Sequence, residues 1–577
     1  MQKIIRRRQV ESFPKFESNL HPLLQRIYTS RGIQHPQELQ YQLAQLLKPN
    51  FKGLQEAVSI LADAVVAQAK IIIVGDFDAD GATSSALAVL ALRAMGLHSV
   101  DFLVPNRFEY GYGLTPEIVV VAAAQQPDVI ITVDNGISSI EGVRVARDLG
   151  IAVIITDHHL PGNEIPDADA IVNPNQPGCE FPSKNLAGVG VIFYVMNALR
   201  AELRQLGWFA ESGITEPNMA SFLDLVALGT VADVVPLDHN NRILVSQGLQ
   251  RIRAGVARPG INALLEVSGK SAHKIIASDF GFAIGPRLNA AGRLDDMSLG
   301  IQCLISDSES LAREMAMQMD DLNRDRKAIE SGMQQEALAM LQKVLNAEAN
   351  SLPWGICLLD ETWHQGVIGI LASRIKDKYH RPTIVFADVG NGEIKGSARS
   401  IQGFHIRDAL DAVASRHPNL LQKFGGHAMA AGMSLTRDNF SAFAKAFDEE
   451  VRRQLKEDDL SAILLSDGEL VSNDFNLIFA EQLRESGPWG QHFPEPVFDG
   501  EFFIIQQKIL NNKHLKMTLS VEAKGQQLID AIAFNVDPSI WSGAPIKKVK
   551  VAYRLDINEF RGNKNVQLLV DYIEIVE

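Results

Sequence analysis

Residues 70–87 read KIIIVGDFDADGATSSAL, and this stretch decides the fold. Lys70 leads into Ile71-Ile72-Ile73-Val74, a short β-branched apolar run of the kind that forms a buried strand. Gly75 ends the run, and Asp76, Asp78 and Asp80 follow at alternate positions. Gly81 opens a helical pattern, rich in Ala and Leu, that continues to Met95. Three acids thus sit between the carboxyl end of a strand and the start of a helix, where open α/β sheets bind ligands. Clustered carboxylates repel one another, which raises their pKa values or draws in a divalent cation. Hard oxygen donors on a tight turn suit Mg2+ or Mn2+. An acidic surface turn is the other reading of D-x-D taken alone.

The same alternation continues on both sides. VDFLVP (100–105), PDVIITVDNG (127–136), IAVIITDHH (151–159) and ADAIVNP (168–174) read as strands with helices between them. A loop containing Tyr110-Gly-Tyr-Gly113 follows the first of these. Such βαβ units predict a doubly wound parallel sheet. In it Asp134, the triplet Asp157-His158-His159 and the three acids of the first loop all fall just past strand ends, on one edge. Each alone has a plainer reading: Asp134 as a helix N-cap, the two histidines as surface or core residues. Convergence of all of them favours a metal site with an imidazole ligand.

GDFDADG, VDNG, DHH and VADVVP, in this order, resemble the four motifs of the DHH phosphoesterase superfamily. Their spacing and the chain length are most similar to its single-strand-specific bacterial exonucleases. The resemblance implies two Mn2+ or Mg2+ ions. Asp78 and Asp80 would be ligands from the first motif, Asp134 the bridging ligand, His158 the imidazole ligand and Asp233 the last carboxylate. Many members place a His where this chain has Val74, so Asp76 would take that coordination position. His159 would contact the substrate phosphate or orient His158. Two ions in such a site activate a water and clamp the scissile phosphate.

Further along, GPRLNAAGR (285–293) offers glycines for close backbone approach and two guanidinium forks, Arg287 and Arg293, with Asn289 between them. A plain turn with two surface arginines is the alternative. The resemblance favours substrate phosphate. Residues 306–349 are Pro-free with apolar positions near helical spacing, a connector that Gly332 could interrupt. A second α/β unit follows, with GSARS (396–400) and FGGHAMAAG (424–432). The latter is expected at a strand-to-helix turn whose N–H groups hold an anion. It resembles the DHHA1 domain that accompanies DHH, which implies substrate binding by Arg399, Ser400, Gly425, Gly426 and His427 across an interdomain cleft. The last part reads as five short strands, resembling an OB-fold barrel. Lys513, Lys516, Lys547, Lys548, Lys550, Arg561 and Lys564 alternate there with apolar residues, and Phe502, Phe503, Phe534, Tyr553 and Phe560 are candidate core residues or base platforms.

The expected architecture is therefore α/β. It has an N-terminal helical edge (1–50), a DHH domain with a doubly wound parallel sheet (51–300), a long connecting helix (301–350), a DHHA1 domain (351–457) and an OB-like β-barrel (458–577). At 577 residues several cores are required, and 46% hydrophobic with 21% charged residues is the composition of a soluble globular protein. Three scattered cysteines give no disulfide framework and point to a reducing, cytoplasmic compartment. The N-terminus has no apolar segment of a secretory leader, and no stretch is long enough to span a membrane. Net charge is −14, but residues 501–577 carry ten Lys and Arg against nine Asp and Glu, leaving −15 on the first 500. Whole-chain charge therefore does not exclude nucleic acid from one groove.

The resemblance implies a 5′–3′ exonuclease of single-stranded DNA that releases mononucleotides in DNA repair and recombination. It also implies a monomer whose partners are a single-stranded-DNA-binding protein and a repair or recombination helicase. The rivals are oligonucleotide or cyclic-dinucleotide phosphodiesterases and pyrophosphatases of the superfamily, or a non-catalytic DNA-binding scaffold.

Overall fold

The structure, a computed structural model, describes all residues except 1–2, 11–15, 17–19, 106–112, 348–351, 524, 526, 542–545, 561 and 577. The loop at Tyr110–Tyr112 and Arg561 lie outside the described residues, as does the side chain of Phe560. The chain divides into two compact units, Arg8–Asn323 with Asp467–Glu577, and Met1–Arg7 with Arg324–Ser466.

The larger unit is built on a five-stranded parallel sheet. Its spatial order is Val100–Leu103, Ile71–Gly75, Val129–Val133, Ala152–Thr156 and Ala170–Val172. Ile71–Gly75 pairs in parallel with Val100–Leu103 on one side and Val129–Val133 on the other. The chain therefore winds in opposite directions from this strand. That switch point opens a crevice beyond its carboxyl end. Ile71–Val74 and Val129–Val133 are fully or almost fully buried, as continuous β-branched runs in a parallel sheet must be.

The same unit contains a closed barrel of Phe498–Leu510, His514–Ser520, Ile529–Ala533, Asn563–Ile575 and Lys548–Phe560. The five expected strands are all present. Phe498, Phe502 and Tyr553 fill the barrel core, whereas Phe534 is 54% exposed. The barrel core is continuous with the core around the parallel sheet.

In the smaller unit a mixed five-stranded sheet runs Lys423–Gly426, Ala430–Thr436, Glu393–Arg399, Thr383–Gly390, Ile356–Asp360. FGGHAMAAG is thus the tip of an antiparallel hairpin, not a strand-to-helix turn. Its glycines and alanines leave one strand free to fold back on the next, with Gly426 at φ +144°. The N-terminal region also departs from expectation. Beside short helices it contains a strand, Ile4–Arg7, which pairs in parallel with Ile463–Ser466. The connector is a continuous helix, Glu309–Ala347, about 58 Å long at ~1.5 Å per residue. Gly332 does not break it. GPRLNAAGR forms a helix too, Gly285–Leu294, and not the plain turn that was the alternative to a phosphate-binding segment.

Candidate metal centre and nucleic-acid site

The first loop is fixed by its own carboxylates. Asp78 caps the helix Ala79–Ala94, its Oδ1 accepting from the N–H groups of Asp80 (2.9 Å) and Gly81 (3.1 Å). Asp76 Oδ1 accepts from Phe77 N–H at 2.7 Å. Asp80, in the first helical turn, is 1% exposed. Its two oxygens accept from Gly188 N–H (2.6 Å) and Val189 N–H (3.0 Å) at the start of the helix Gly188–Gln205. A second helix N-terminus thus faces this carboxylate, which favours its charge.

Asp134 follows the strand Val129–Val133 and is 2% exposed, with φ +62°. That conformation is uncommon for a non-glycine residue. Asp134 does not cap the next helix, whose N-cap is Ser139. His158 follows the strand Ala152–Thr156. Its Nε2 lies 3.0 Å from Asp134 Oδ1, 3.5 Å from Asp233 Oδ2 and 4.0 Å from Asp80 Oδ2. Asp233 is the C-cap of the helix Leu223–Ala232.

Two sets of potential ligand atoms result, each within 4.8 Å: Asp76, Asp78 and Asp134, and Asp80, His158 and Asp233. A third, Asp134, His158 and His159, overlaps both. Burial pushes the Asp80 carboxyl up to about 7, with Asp78 adding repulsion, although the two backbone donors act against it. Burial, then the neighbouring carboxylates, holds Asp134 and Asp233 well above the usual range. So many buried acids cannot all ionise unless cations neutralise them, and their hard oxygens with one imidazole fit Mn2+ or Mg2+.

Asp157, which the sequence reading left without a role, organises the histidines. Its Oδ1 accepts from His158 N–H (2.7 Å), His159 N–H (3.1 Å) and His159 Nδ1 (2.8 Å), and its Oδ2 from Ile137 N–H (2.9 Å). Burial works against its charge, but the bond and charge of His159 outweigh it and hold its pKa low. Burial likewise opposes charge on His159, yet Asp157, then Asp76 and Asp78, raise it to about 9. Both shifts favour an imidazolium–carboxylate pair in the metal-free protein.

The remaining candidates are more scattered. Asn289 Oδ1 accepts from Ala79 N–H at 2.7 Å and so braces the acidic turn. Arg287 pairs with Asp320 at 2.7 Å and also donates to Ala283 O. Arg293 lies partly buried in the last turn of the same helix. In the smaller unit, Arg399 donates to Ser397 Oγ (3.1 Å) and Ala398 O (2.8 Å), and is paired in register with Ala430. His427 is exposed at the hairpin tip beside Gly425 and Gly426. Ser400 is turned inward, 1% exposed, its hydroxyl donating to Phe404 O at 2.6 Å. A lone Asn or the first Asp of DHH carries no signal in sequence for the bonds these residues make.

Family models match three regions: the DHH family N-terminal domain at 70–230, the DHHA1 domain at 342–453 and the RecJ OB domain at 466–572. Among similar curated proteins are two named single-stranded-DNA-specific exonuclease RecJ. That of Dickeya dadantii (strain 3937) is 55% identical over 98% of this chain and 98% of its own. That of Escherichia coli (strain K12) is 54% identical over 99% and 98%. The crystal structure of RecJ from Thermus thermophilus in complex with Mn2+ superposes with a TM-score of 0.77 at 30% identity, covering 96% of this chain and 76% of that one. The same protein in complex with Mg2+ gives 0.72 at 28%, covering 96% and 75%. Overall identity above one half covers nearly the full length of both chains in each comparison, so this chain belongs to the RecJ family.

Proposed function

We propose that the chain is a metal-dependent exonuclease that hydrolyses phosphodiester bonds of single-stranded DNA from the 5′ end, releasing mononucleotides in DNA repair and recombination. The observation that carries this reading is the pair of adjacent ligand sets in the switch-point crevice, with Asp134 of one lying 3.0 Å from His158 of the other. The printed names of the relatives supply the substrate class.

Asp76, Asp78 and Asp134 would hold one Mn2+ or Mg2+ ion, and Asp80, His158 and Asp233 the other, with Asp134 shared. When bound, the two ions supply activation of a water and neutralisation of the scissile phosphate. The chain's own residues do the rest. Asp157 orients His159 through Nδ1 and favours its charged form, and a protonated ring is suited to donate to a phosphate oxygen rather than to serve as a ligand. Asn289 keeps the acidic turn in place. Arg399, on a strand of the smaller unit, and His427, at the hairpin tip, are assigned to substrate phosphate, with the Gly425-Gly426 backbone beside His427.

The proposal extends to a monomer that works in the cytoplasm with a single-stranded-DNA-binding protein and a repair helicase, as the family resemblance implies. Among the described residues no helix is long and apolar enough to cross a membrane. The test is cleavage of 5′-labelled single and double strands with Mn2+, against chelator. Mn2+-dependent loss of the single strand alone supports the reading, and cleavage unaffected by chelator refutes it.

A further inference from the structure

A cavity of about 590 Å3 lies within the larger unit, lined in part by the residues on either side of Asp233. One wall is Val231, Ala232, Val234 and Val235, the neighbours of Asp233, and another is the helix His239–Arg253, through Leu249 and Gln250. The segment leading into the barrel supplies Trp489 and Gln491, and the barrel itself Leu555. The volume lies in the range of small-ligand sites, ~300–1,000 Å3.

Two apolar side chains stand at its lip. Val234, directly after Asp233, is 61% exposed and has φ +62°. A β-branched residue in that region is strained, and such strain collects at functional sites. Phe282 is 86% exposed on a single π-helical turn, Phe280–Ile284, while Phe280 and Ile284 of that turn are fully buried. Single π turns also recur at functional sites. The turn is seated on the end of the helix that leads to Asp233: a Cβ on Gly285 would lie 3.2 Å from Ala232 Cβ. Phe282 is thereby held at a fixed offset from Asp233.

We propose that this cavity is a nucleobase-docking pocket for the strand bound at the metal centre, with Phe282 as the ring on which the base stacks at its mouth. The proposal rests on the nuclease reading above and adds a base-recognition site to it. Three features select a base over other occupants. The residues on both sides of a proposed metal ligand, Asp233, line the cavity, which puts it beside the strand to be cut. Its walls are mainly aliphatic and aromatic, with the amides of Gln250 and Gln491 able to meet a base edge. Glu485, Glu495 and Asp556 line it against two guanidinium groups, Arg253 and Arg484, with Glu495 paired to Arg554 at 3.0 Å and Arg253 donating to Ile275 O. That balance admits a neutral planar group and disfavours a phosphate.

The test is single-turnover cleavage in Mn2+ of labelled single strands that each carry one abasic site, scanned through the first nucleotides. Stacking of one base is worth ~1–3 kcal/mol, roughly five- to 150-fold. The expected result is one position, next to the first bond cut, where the abasic site slows cleavage by that factor. In Phe282→Ala the penalty at that position should shrink to within about twofold, because intact and abasic strands then lack the same contact. Leu249→Trp, which fills the cavity, should do the same. Phe282 is a surface residue, so its variant folds even if Leu249→Trp does not. A wild-type profile with no sensitive position, or one unchanged in folded Phe282→Ala, overturns the proposal, and the cavity then holds a peptide side chain or another ligand. Both results leave Mn2+-dependent cleavage intact, whereas failure of the nuclease reading shows as no cleavage of any strand.

Discussion

Gly188→Ala changes no proposed ligand and yet is expected to disable the centre. A Cβ at this position would lie 2.6 Å from Asp134 Cβ and 2.9 Å from Asp134 Oδ1. Carbon atoms in contact prefer about 3.5–4.0 Å, so one partner must retreat by about 1 Å. Neither side is free to do so. Gly188 N–H is bonded to Asp80 Oδ2 at 2.6 Å, and Asp134 N–H to Thr156 O at 3.1 Å. Overpacking of this kind costs about 1–3 kcal/mol. The effect on chemistry should be larger, because ligand positions tolerate only about ±0.2 Å and a displacement of about 1 Å can cost a hundredfold in rate. The expected outcome is a modest fall in thermal midpoint, loss of at least one Mn2+ per chain by calorimetry, and cleavage slowed about a hundredfold or more. Gly332→Ala is the control: nothing lies within 4 Å of its Cβ position, and an exposed helical Gly→Ala should be neutral or stabilising by ~0.5–1 kcal/mol. A Gly188→Ala protein with wild-type turnover and full metal content would refute the packing argument.

Asp134→Ala should abolish cleavage while the fold is kept, and in chelator it should melt higher than wild type, because one buried carboxylate no longer repels the others. The pH dependence of the metal-free protein has the same origin. The folded pKa of Asp80 is about 7 against 3.8 unfolded, so its contribution is full below about pH 4 and is lost as pH rises through about 7. Denaturant midpoints in chelator should therefore be lower at pH 8 than at pH 5, and Mn2+ should narrow the gap; equal midpoints in chelator contradict the repulsion argument. Substituting Arg399 or His427 by Ala should raise KM or slow turnover with bound Mn2+ unchanged, and loss of an ion from His427→Ala would make that residue a ligand instead. Lys516→Glu, on an outward position of the barrel, should weaken binding to long single strands and flatten its salt slope by about one, whereas an unchanged slope removes that face from the DNA path.

How much of this was legible in the sequence depends on the range of the interaction. The strand Ile71–Gly75 and its acids were readable because period, turn residues and charge sit together in a few positions. Parallel pairing then places Asp134 and His158 on the same edge whatever the intervening lengths. Long-range partners left no such trace. Ile4–Arg7 finds its mate at Ile463–Ser466, and no local pattern names that mate. Asn289 meets Ala79 N–H from a distant helix, and Arg287 meets Asp320 rather than lying open. The hairpin at Gly426 was hidden because Gly and Ala suit several turns. The barrel's strands were plain, but its core merges with that around the parallel sheet, so deleting it would expose apolar surface and confound any binding assay. Single surface substitutions are the better probe for that reason.

The central claim is that two ions share Asp134 at the switch point of the sheet. Anomalous diffraction at the manganese edge, from crystals of the protein soaked in Mn2+, tests it most directly. The account predicts two peaks, one among Asp76, Asp78 and Asp134 and one among Asp80, His158 and Asp233, with neither site fully occupied in Asp134→Ala. A single peak in the wild type, or two peaks that both persist at full height without the Asp134 carboxylate, would contradict it.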